Sequence, residues 1–306
     1  MTDSSPHSER RSKAVHRPVL LREVLHALQL QEGLCVVDGT VGAGGHSQKI
    51  CEQIGPTGKL IGLDRDTMML ALATNCLQQT ASNFELVHAS YAELKLVLDT
   101  RNINTVDRVL LDLGLSSDQL EDTARGFSFH STGVLDLRFD TSTGLAAWQI
   151  LEQYNQQALA TVFTEFGEER FAKVIAEKIV TSRTQQPIKY ANELADIVTS
   201  AMPSGLVKSS RKHPATRIFQ ALRIEANAEF KHLNNMLNNV LPDILPAGGR
   251  AVVITFHSLE DRMVKNAFRN SKVWKRLTSK PVSATPTEQR VNPRSRTAKI
   301  RSVERR

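Results

Sequence analysis

Twelve residues, Val36-Val-Asp-Gly-Thr-Val-Gly-Ala-Gly-Gly-His-Ser47, constrain this chain more than any other stretch. An apolar run, Leu34 to Val37, ends in a carboxylate at Asp38. Four glycines follow within seven residues, Gly39, Gly42, Gly44 and Gly45, and a helix-like segment opens at His46. The order this predicts is strand, tight loop, helix. Glycine suits backbone that must take positive φ or lie against a ligand, and α/β sheets bind ligands beyond the carboxyl ends of their strands. Gly-x-Gly-x-x-Gly fails here because Ser47 stands three residues after Gly44, and no Gly-Lys-Ser/Thr completes a phosphate loop. A second apolar run, Lys59 to Leu63, ends in Asp64, nineteen residues after Gly45, where a ribose-binding acid falls in such units. A nucleoside ligand without a pyrophosphate suits this set, S-adenosylmethionine being the commonest. The competing reading is a strand-to-helix turn with no ligand.

The rhythm continues. Phe84 to His88 and Val106 to Leu111 read as strands, the latter ending in Asp112, so strand ends recur at Asp38, Asp64, His88 and Asp112, every 24 to 26 residues. Helical spacing marks Pro18 to Leu28, Thr67 to Leu77 and Tyr91 to Leu98. Alternating strand and helix predict an α/β fold with a parallel, doubly wound sheet. After Leu115 the alternation stops: Ala146 to Leu151, Ala158 to Phe166, Glu168 to Val180 and Asn192 to Ala201 read as helices of an inserted subdomain. A long helix, Ala215 to Leu241, then leads to a buried strand, Arg250 to Phe256. The expected division is residues 1–115 and 214–272 for the sheet domain, 116–213 for a helical substrate domain, and 273–306 for a basic tail.

Charge sharpens this picture. The net charge is +7, yet residues 265–306 hold thirteen Lys or Arg against two Glu, so the remaining body is net acidic. A cationic tail on an acidic body points to a polyanion such as nucleic acid, and a solvated tail with no partner is the bland alternative. Beyond Trp274 the chain is expected to order poorly unless bound. The rival expectation is a final strand, Ala298 to Val303. A second basic region is Lys208-Ser-Ser-Arg-Lys-His213 with Arg217. Cys35, Cys51 and Cys76 lack Cys-x-x-Cys spacing, which disfavours a zinc site or disulfides and suits a reducing, cytoplasmic setting. No apolar run reaches membrane-span length, and the polar Met1 to Arg17 segment lacks the apolar stretch of a signal peptide.

Three clusters stand just past strand ends or in facing loops: Leu111-Asp-Leu-Gly-Leu-Ser-Ser-Asp-Gln-Leu120, Arg125-Gly-Phe-Ser-Phe129 leading to Leu135-Asp-Leu-Arg138, and Phe256-His-Ser-Leu-Glu-Asp-Arg262. Methyl transfer to an amine needs acceptors that hold its N–H groups, aim its lone pair and receive a proton. Asp112, Ser116, Ser117, Asp136 and His257 are candidates, and each taken singly is also an ordinary cap or loop residue.

The chain resembles the bacterial small-subunit ribosomal RNA N4-cytidine methyltransferase family, known as RsmH or MraW. The likeness runs in order through His16-Arg-Pro-Val-Leu-Leu21, Gly44-Gly-His-Ser47, Asp64-Arg-Asp66, Asp112-Leu-Gly, Arg125-Gly-Phe-Ser-Phe129, Gly167-Glu-Glu-Arg-Phe-Ala172, His213-Pro-Ala-Thr-Arg217, Phe219-Gln-Ala-Leu-Arg-Ile224, Phe256-His-Ser-Leu-Glu-Asp-Arg262 and Asn292-Pro-Arg-Ser-Arg296. The resemblance implies a Rossmann-like methyltransferase domain with an inserted helical substrate domain, and N4-methylation of a decoding-centre cytidine using S-adenosylmethionine. It implies cofactor contacts at Gly44, Gly45, His46, Asp64, Tyr91, Asp112 and Gln119, with Asp112 where cofactor and acceptor meet. Candidate substrate contacts are Arg125, Phe127, Asp136, His213, Arg217 and His257. The implied partner is small-subunit ribosomal RNA in an assembled or late-assembly subunit, with no membrane and no metal, and a homodimer is compatible with it. A nicotinamide-dependent oxidoreductase is disfavoured by the broken fingerprint, and an RNA-binding assembly factor with a vestigial pocket by the intact glycines and Asp64.

Two departures stand out. Thr132-Gly-Val-Leu-Asp-Leu-Arg-Phe139 replaces the family's Asp-Gly-Pro-Leu-Asp-Met-Arg-Met, and Tyr91 stands where Phe is common. The first bears on the conformation of a substrate loop, and the second keeps a ring face for stacking.

Overall fold

The computed structural model describes residues 17–80, 83–209 and 213–306. His16, the polar segment before Arg17, and Ser210, Arg211 and Lys212 of the second basic region lie outside the described residues. The first half alternates as its sequence predicts: α1 (Leu21–Leu28), β1 (Cys35–Asp38), α2 (Gly45–Ile54), β2 (Lys59–Asp64), α3 (Thr67–Leu77), β3 (Asn83–His88), α4 (Leu94–Asp99) and β4 (Arg108–Asp112). The helical insert follows, with α5 (Ser117–Glu121), α6 (Ala147–Gln153), α7 (Gln156–Glu165), α8 (Ala172–Arg183), α9 (Ala191–Ala201), α10 (Ser204–Ser209) and α11 (Thr216–Asn227). The chain returns through α12 (Glu229–Asn235), a π-turn (Met236–Val240) and α13 (Leu241–Ile244) to β5 (Arg250–Thr255) and α14 (Ser258–Ala267). It ends with β6 (Trp274–Arg276), β7 (Val282–Ser283), α15 (Pro286–Val291), a 3-10 segment (Pro293–Thr297) and β8 (Lys299–Arg305).

The strand order is β3-β2-β1-β4-β5-β8-β6, with β7 beside β8. The first five strands are mutually parallel, and β8 runs antiparallel between β5 and β6. Both faces are covered, so successive residues of one strand enter different cores. Val36, Leu60, Leu110 and Val252 pack with α1 and α2 through Leu28, Ile50 and Ile54. Val37, Ile61, Leu111 and Val253 pack on the opposite side with Leu98, Leu237, Ile244 and Val264. Strands β1, β2, β4 and β5 therefore read as near-continuous apolar runs. This is a doubly wound, Rossmann-like arrangement, and its parallel order puts Asp38, Asp64 and Asp112 along one edge.

The insert has a core of its own, built from Leu159 and Phe163 of α7, Ile175 and Ile179 of α8, Leu194 and Val198 of α9, and Ile218, Phe219 and Leu222 of α11. The apolar face of α11 thus belongs to the insert, although residue 213 was the expected boundary. The expected single helix from Ala215 to Leu241 is broken at Ala228, whose left-handed φ of 50° ends α11. Asn227 secures that break. Its Oδ1 accepts the Phe139 N–H at 2.8 Å, its Nδ2 donates to the Leu137 carbonyl at 2.7 Å, and its own carbonyl accepts from Arg65 Nη1 at 2.7 Å. One residue ties helix, loop and sheet together. Helix α8 likewise starts at Ala172 rather than at Glu168, which takes a left-handed φ of 49°.

The last residues are not a poorly ordered tail. Strand β8 pairs with β5 from Arg250↔Glu304 to Thr255↔Lys299, so the final-strand expectation describes this segment. Several of its charges are already matched within the fold. Arg301 grips Asp261 at 2.7 and 3.0 Å, and Glu304 accepts from Arg250 at 2.8 Å and Lys275 at 2.9 Å. The two ends of the described chain also meet: Glu288 Oε1 accepts the Leu20 N–H at 2.6 Å, and Asn292 Nδ2 donates to the Arg17 carbonyl at 3.1 Å.

Candidate active site

The carboxylates that end β1, β2 and β4 have different tasks. Asp38 is buried; its Oδ2 accepts Ser47 Oγ–H at 2.7 Å and its Oδ1 the Thr40 N–H at 3.2 Å, which braces the glycine loop against α2. Asp64 faces the pocket. Its Oδ2 accepts the Gly42 N–H at 2.8 Å and its Oδ1 the Asp66 N–H at 2.9 Å, and burial still pushes its pKa up to about 6. The glycines are needed where the loop turns: Gly42 and Gly44 sit at φ 53° and 89°, left-handed values that strain other residues.

Asp112 is the exception among the three. Its N–H donates to Thr40 Oγ1 at 2.6 Å, but its Oδ1 is buried with no hydrogen-bond partner among the described residues. Its Oδ2 lies 3.6 Å from Nδ1 of His46. Burial pushes the Asp112 carboxyl up to about 7, with Arg294 pulling it down and Glu260 pushing it further up. His46 is shifted the other way by burial. Its Nε2 sits 3.0 Å from the Val19 carbonyl, which can only accept, so Nε2 carries the proton and Nδ1 turns a lone pair toward Asp112. The separation exceeds a hydrogen bond, yet each group lies within the other's field.

Around Asp112 a cleft opens beyond the strand ends, spanning about 1030 Å³ with the open solvent at its mouth included. Its floor is Gly39 to Ala43, Gly45 and His46; Tyr91, Leu113, Ser116 and Gln119 form walls, and Phe139, Glu229 and Phe230 reach in from the insert side. Gln119 is 4% exposed and donates through Nε2 to Asp66 Oδ2 at 2.8 Å. Burial and the Glu229 and Glu260 carboxylates keep the Tyr91 phenol protonated. Glu229 is gripped in a two-point contact by Arg223 at 2.7 and 2.9 Å.

Of the sequence candidates, Gly45, His46, Asp64, Tyr91, Asp112, Ser116 and Gln119 line this cleft. Gly44 shapes it as the left-handed residue before α2. The others lie off it. Phe127 is 5% exposed within the insert core, Asp136 is clamped by Arg138 at 2.7 Å through both oxygens, and Arg125 bonds Asp66 at 2.7 Å and Asp122 at 2.8 Å. His213 stacks on Phe129 with ring centroids 4.2 Å apart, and Arg217 donates to the Glu168 carbonyl at 3.1 Å. His257 caps α14, its Nδ1 accepting the Glu260 N–H at 3.4 Å while Nε2 faces Glu260 Oε1 at 3.1 Å. Ser117 accepts from Arg294 Nη1 at 3.1 Å. The altered loop positions Thr132 and Val134 are exposed, whereas Leu135 and Leu137 are buried.

Sequence reasoning missed the roles of four residues. Asp66 holds Gln119, Arg125 and the start of α3 at once. Glu229 and Phe230 enter the cleft because of the break at Ala228, which no glycine or proline announces. Arg294 arrives from the C-terminal segment, donating to the Leu115 carbonyl and to Ser117 beside Asp112. The Asn292-Pro-Arg-Ser-Arg296 motif was its signal.

A buried, unpartnered carboxylate oxygen beside a neutral imidazole can accept a hydrogen bond from a bound N–H group and take its proton. The surrounding Asp64, Glu229 and Glu260 favour a cationic ligand, and the glycine loop exposes backbone beneath it. Comparison with known proteins agrees with this chemistry. The MraW methylase family model matches residues 13–306. The ribosomal RNA small subunit methyltransferase H of Trichlorobacter lovleyi is 44% identical over 307 residues, covering 94% of this chain and 97% of its own. Its counterpart in Thermotoga neapolitana is 42% identical over 290 residues, covering 94% and 95%. That of Nitrosospira multiformis is 42% identical over 311 residues, covering 95% and 97%.

Proposed function

The chain belongs to the MraW methylase family, and from that premise we propose that it transfers a methyl group from S-adenosylmethionine to N4 of a decoding-centre cytidine in small-subunit ribosomal RNA, within an assembled or late-assembly subunit. The observation that carries this reading is the buried Asp112 Oδ1, an acceptor with no donor among the described residues, in a cleft floored by the glycine loop.

The residues present fit the cofactor. Asp64 at the end of β2 would bind the ribose hydroxyls, Tyr91 would pack on the adenine, and the backbone of Gly42 to Gly45 would lie along the methionine part. Gln119 acts through Asp66 to fix the wall. Bound there, S-adenosylmethionine supplies an electrophilic methyl carbon on a sulfonium. No covalent enzyme intermediate is required, so the protein's contribution is orientation, exclusion of water and handling of one proton.

That proton is the central difficulty. The exocyclic amine of cytosine is a weak nucleophile because its lone pair is shared with the ring. Asp112 would accept one of its N–H groups, turn the lone pair toward the methyl carbon, and take the proton as the N–C bond forms. The Nδ1 lone pair of His46, 3.6 Å from Asp112 Oδ2, faces that carboxyl and leaves the proton on Asp112 until product departs. Arg294 beside Asp112 holds the carboxyl lower than burial alone would, which keeps a useful ionised fraction near neutral pH. His213 and Arg217, on the insert side and off the cleft, would serve RNA rather than cofactor. Transfer of labelled methyl groups from S-adenosylmethionine to purified small-subunit RNA or particles tests the reading, with Asp112→Asn as the matched control.

A further inference from the structure

Two motifs singled out in the sequence, Gly167-Glu-Glu-Arg-Phe-Ala172 and Phe256-His-Ser-Leu-Glu-Asp-Arg262, meet at one point. Glu168 Oε2 accepts Ser258 Oγ–H at 3.0 Å, and its Oε1 accepts from Arg262 Nη2 at 2.9 Å. Its backbone carbonyl accepts from Arg217 Nη1 at 3.1 Å. The presentation is enforced: Glu168 holds a left-handed φ of 49°, unfavourable for a side chain of its size. Gly167 before it is wedged so closely that a Cβ would lie 2.7 Å from the Phe163 carbonyl oxygen and 2.8 Å from that of Arg217.

An anionic group is thus held by a hydroxyl and a guanidinium, with a second guanidinium alongside. The same groups would hold a phosphodiester. The contacts are solvent-exposed, Arg262 at 59% and Glu168 at 43%, so water screens the pair and exchanging one anion for another costs little. The place is also right. Glu260, between Ser258 and Arg262 on the first turn of α14, lines the cleft, and Phe166 packs edge-on against the cleft residue Phe230 with centroids 5.3 Å apart.

We propose that Ser258, Arg262 and Arg217 form a docking site for one phosphodiester of the RNA substrate, and that Glu168 occupies it as an internal stand-in until RNA displaces it. This rests on the reading of RNA as substrate. Exchanging one internal anion for one phosphate leaves the ion pairing at Arg262 intact and brings the chain to the mouth of the cleft. Because Glu168 also spans from the insert to the sheet domain, its displacement loosens one contact between them as RNA arrives.

The test uses the full chain with small-subunit RNA, measuring apparent KM, the dependence of RNA affinity on salt, calorimetric cofactor affinity and Tm. Arg262→Ala is expected to raise KM on the order of three- to tenfold and to flatten the slope of log K against log salt by about 0.7, the value for one single-strand phosphate. Cofactor affinity and Tm stay at wild-type values, and Arg262→Lys recovers the slope. Glu168→Ala, which removes the competitor, lowers KM. The site is overturned if Arg262→Ala keeps the wild-type salt slope, or if Glu168→Ala raises KM and lowers Tm in step with Arg262→Ala, as a plain brace between the two parts would. A wild type that transfers no methyl to small-subunit RNA, whether free or in particles, takes down the functional reading and the site with it.

Discussion

Asp112 Oδ2 lies 3.6 Å from Nδ1 of His46, and the two groups are displaced in opposite senses, the carboxyl up to about 7 and the imidazole down. Both shifts come first from burial, which penalises the charged form of each. A proton taken up at this site therefore rests on the Asp112 carboxyl, and the ring beside it stays neutral.

Methyl transfer by the wild type is expected to rise with pH through about 7 and level off above it, since Asp112 must be ionised to accept the amine proton. Asp112→Asn should lower kcat on the order of 10²- to 10⁴-fold, the usual range for losing a general base. A single-turnover pH profile checks both. Wild-type rates from the Asn variant would make Asp112 structural.

Arg294 acts on that profile from the C-terminal segment. Its charge lowers the Asp112 pKa, so Arg294→Ala should move the bend to higher pH, while Arg294→Lys keeps most of the wild-type position. A profile unmoved in Arg294→Ala would confine the arginine to packing.

Stability should respond to pH in a defined direction. Asp64 and Asp112 are both raised above the ordinary 3.8, to about 6 and about 7, so each favours the folded state when protonated. That contribution is complete below about pH 3.8 and is lost as pH rises through 6 and 7. Asp112→Asn removes one such group, so its stability relative to wild type should improve between pH 5 and pH 8 by about 1–3 kcal/mol, kept modest because the carboxyl opens onto the cleft. Melting curves at the two pH values measure this. A difference that is flat or of opposite sign contradicts the assignment.

Asp64 carries two loads, the ribose and the loop. Asp64→Ala should weaken S-adenosylmethionine binding by about 1.5–3 kcal/mol, or about ten- to a hundredfold. Because the Gly42 and Asp66 N–H groups lose their acceptor, Tm should fall as well. Calorimetric affinity unchanged from wild type would remove Asp64 from the ribose.

Truncation after Trp274 separates the two expectations for the basic C-terminal segment. It deletes β7, β8 and Arg294 and uncovers the edge of β5, a loss on the scale of a domain's whole stability, about 5–15 kcal/mol. Cofactor and RNA binding should fail together with a collapse of Tm. A folded truncated chain with intact cofactor affinity and weaker RNA binding would restore the clamp.

The sequence announced those parts of the fold whose causes are local. Strands β1, β2 and β4 were legible because burial on both faces produces short apolar runs, and the half-buried β3 because it keeps the same spacing of polar strand ends. Strand β8 was harder to see: its buried Ile300, Ser302 and Val303 are interleaved with charges that find partners only in three dimensions, Arg301 on Asp261 and Glu304 on Arg250. The break at Ala228 has no local signal at all, since alanine favours helix and the turn is held by Asn227 contacts with residues 88 to 90 positions away. The cleft shows the same split. Its floor was readable from the glycines and the spaced acids, whereas Glu229, Phe230 and Arg294 depend on that break and that strand. Asp136 was named from its place in a facing-loop motif, and its carboxylate is already held by Arg138 two positions along.

The most direct measurement is mass spectrometry of nucleosides from small-subunit particles lacking the modification, incubated with the purified protein and isotopically labelled S-adenosylmethionine. Labelled N4-methylcytidine at one decoding-centre position, absent when Asp112→Asn replaces the wild type, is the predicted result. Label on a carbon atom of the base, on another nucleoside, or on nothing at all would contradict the account.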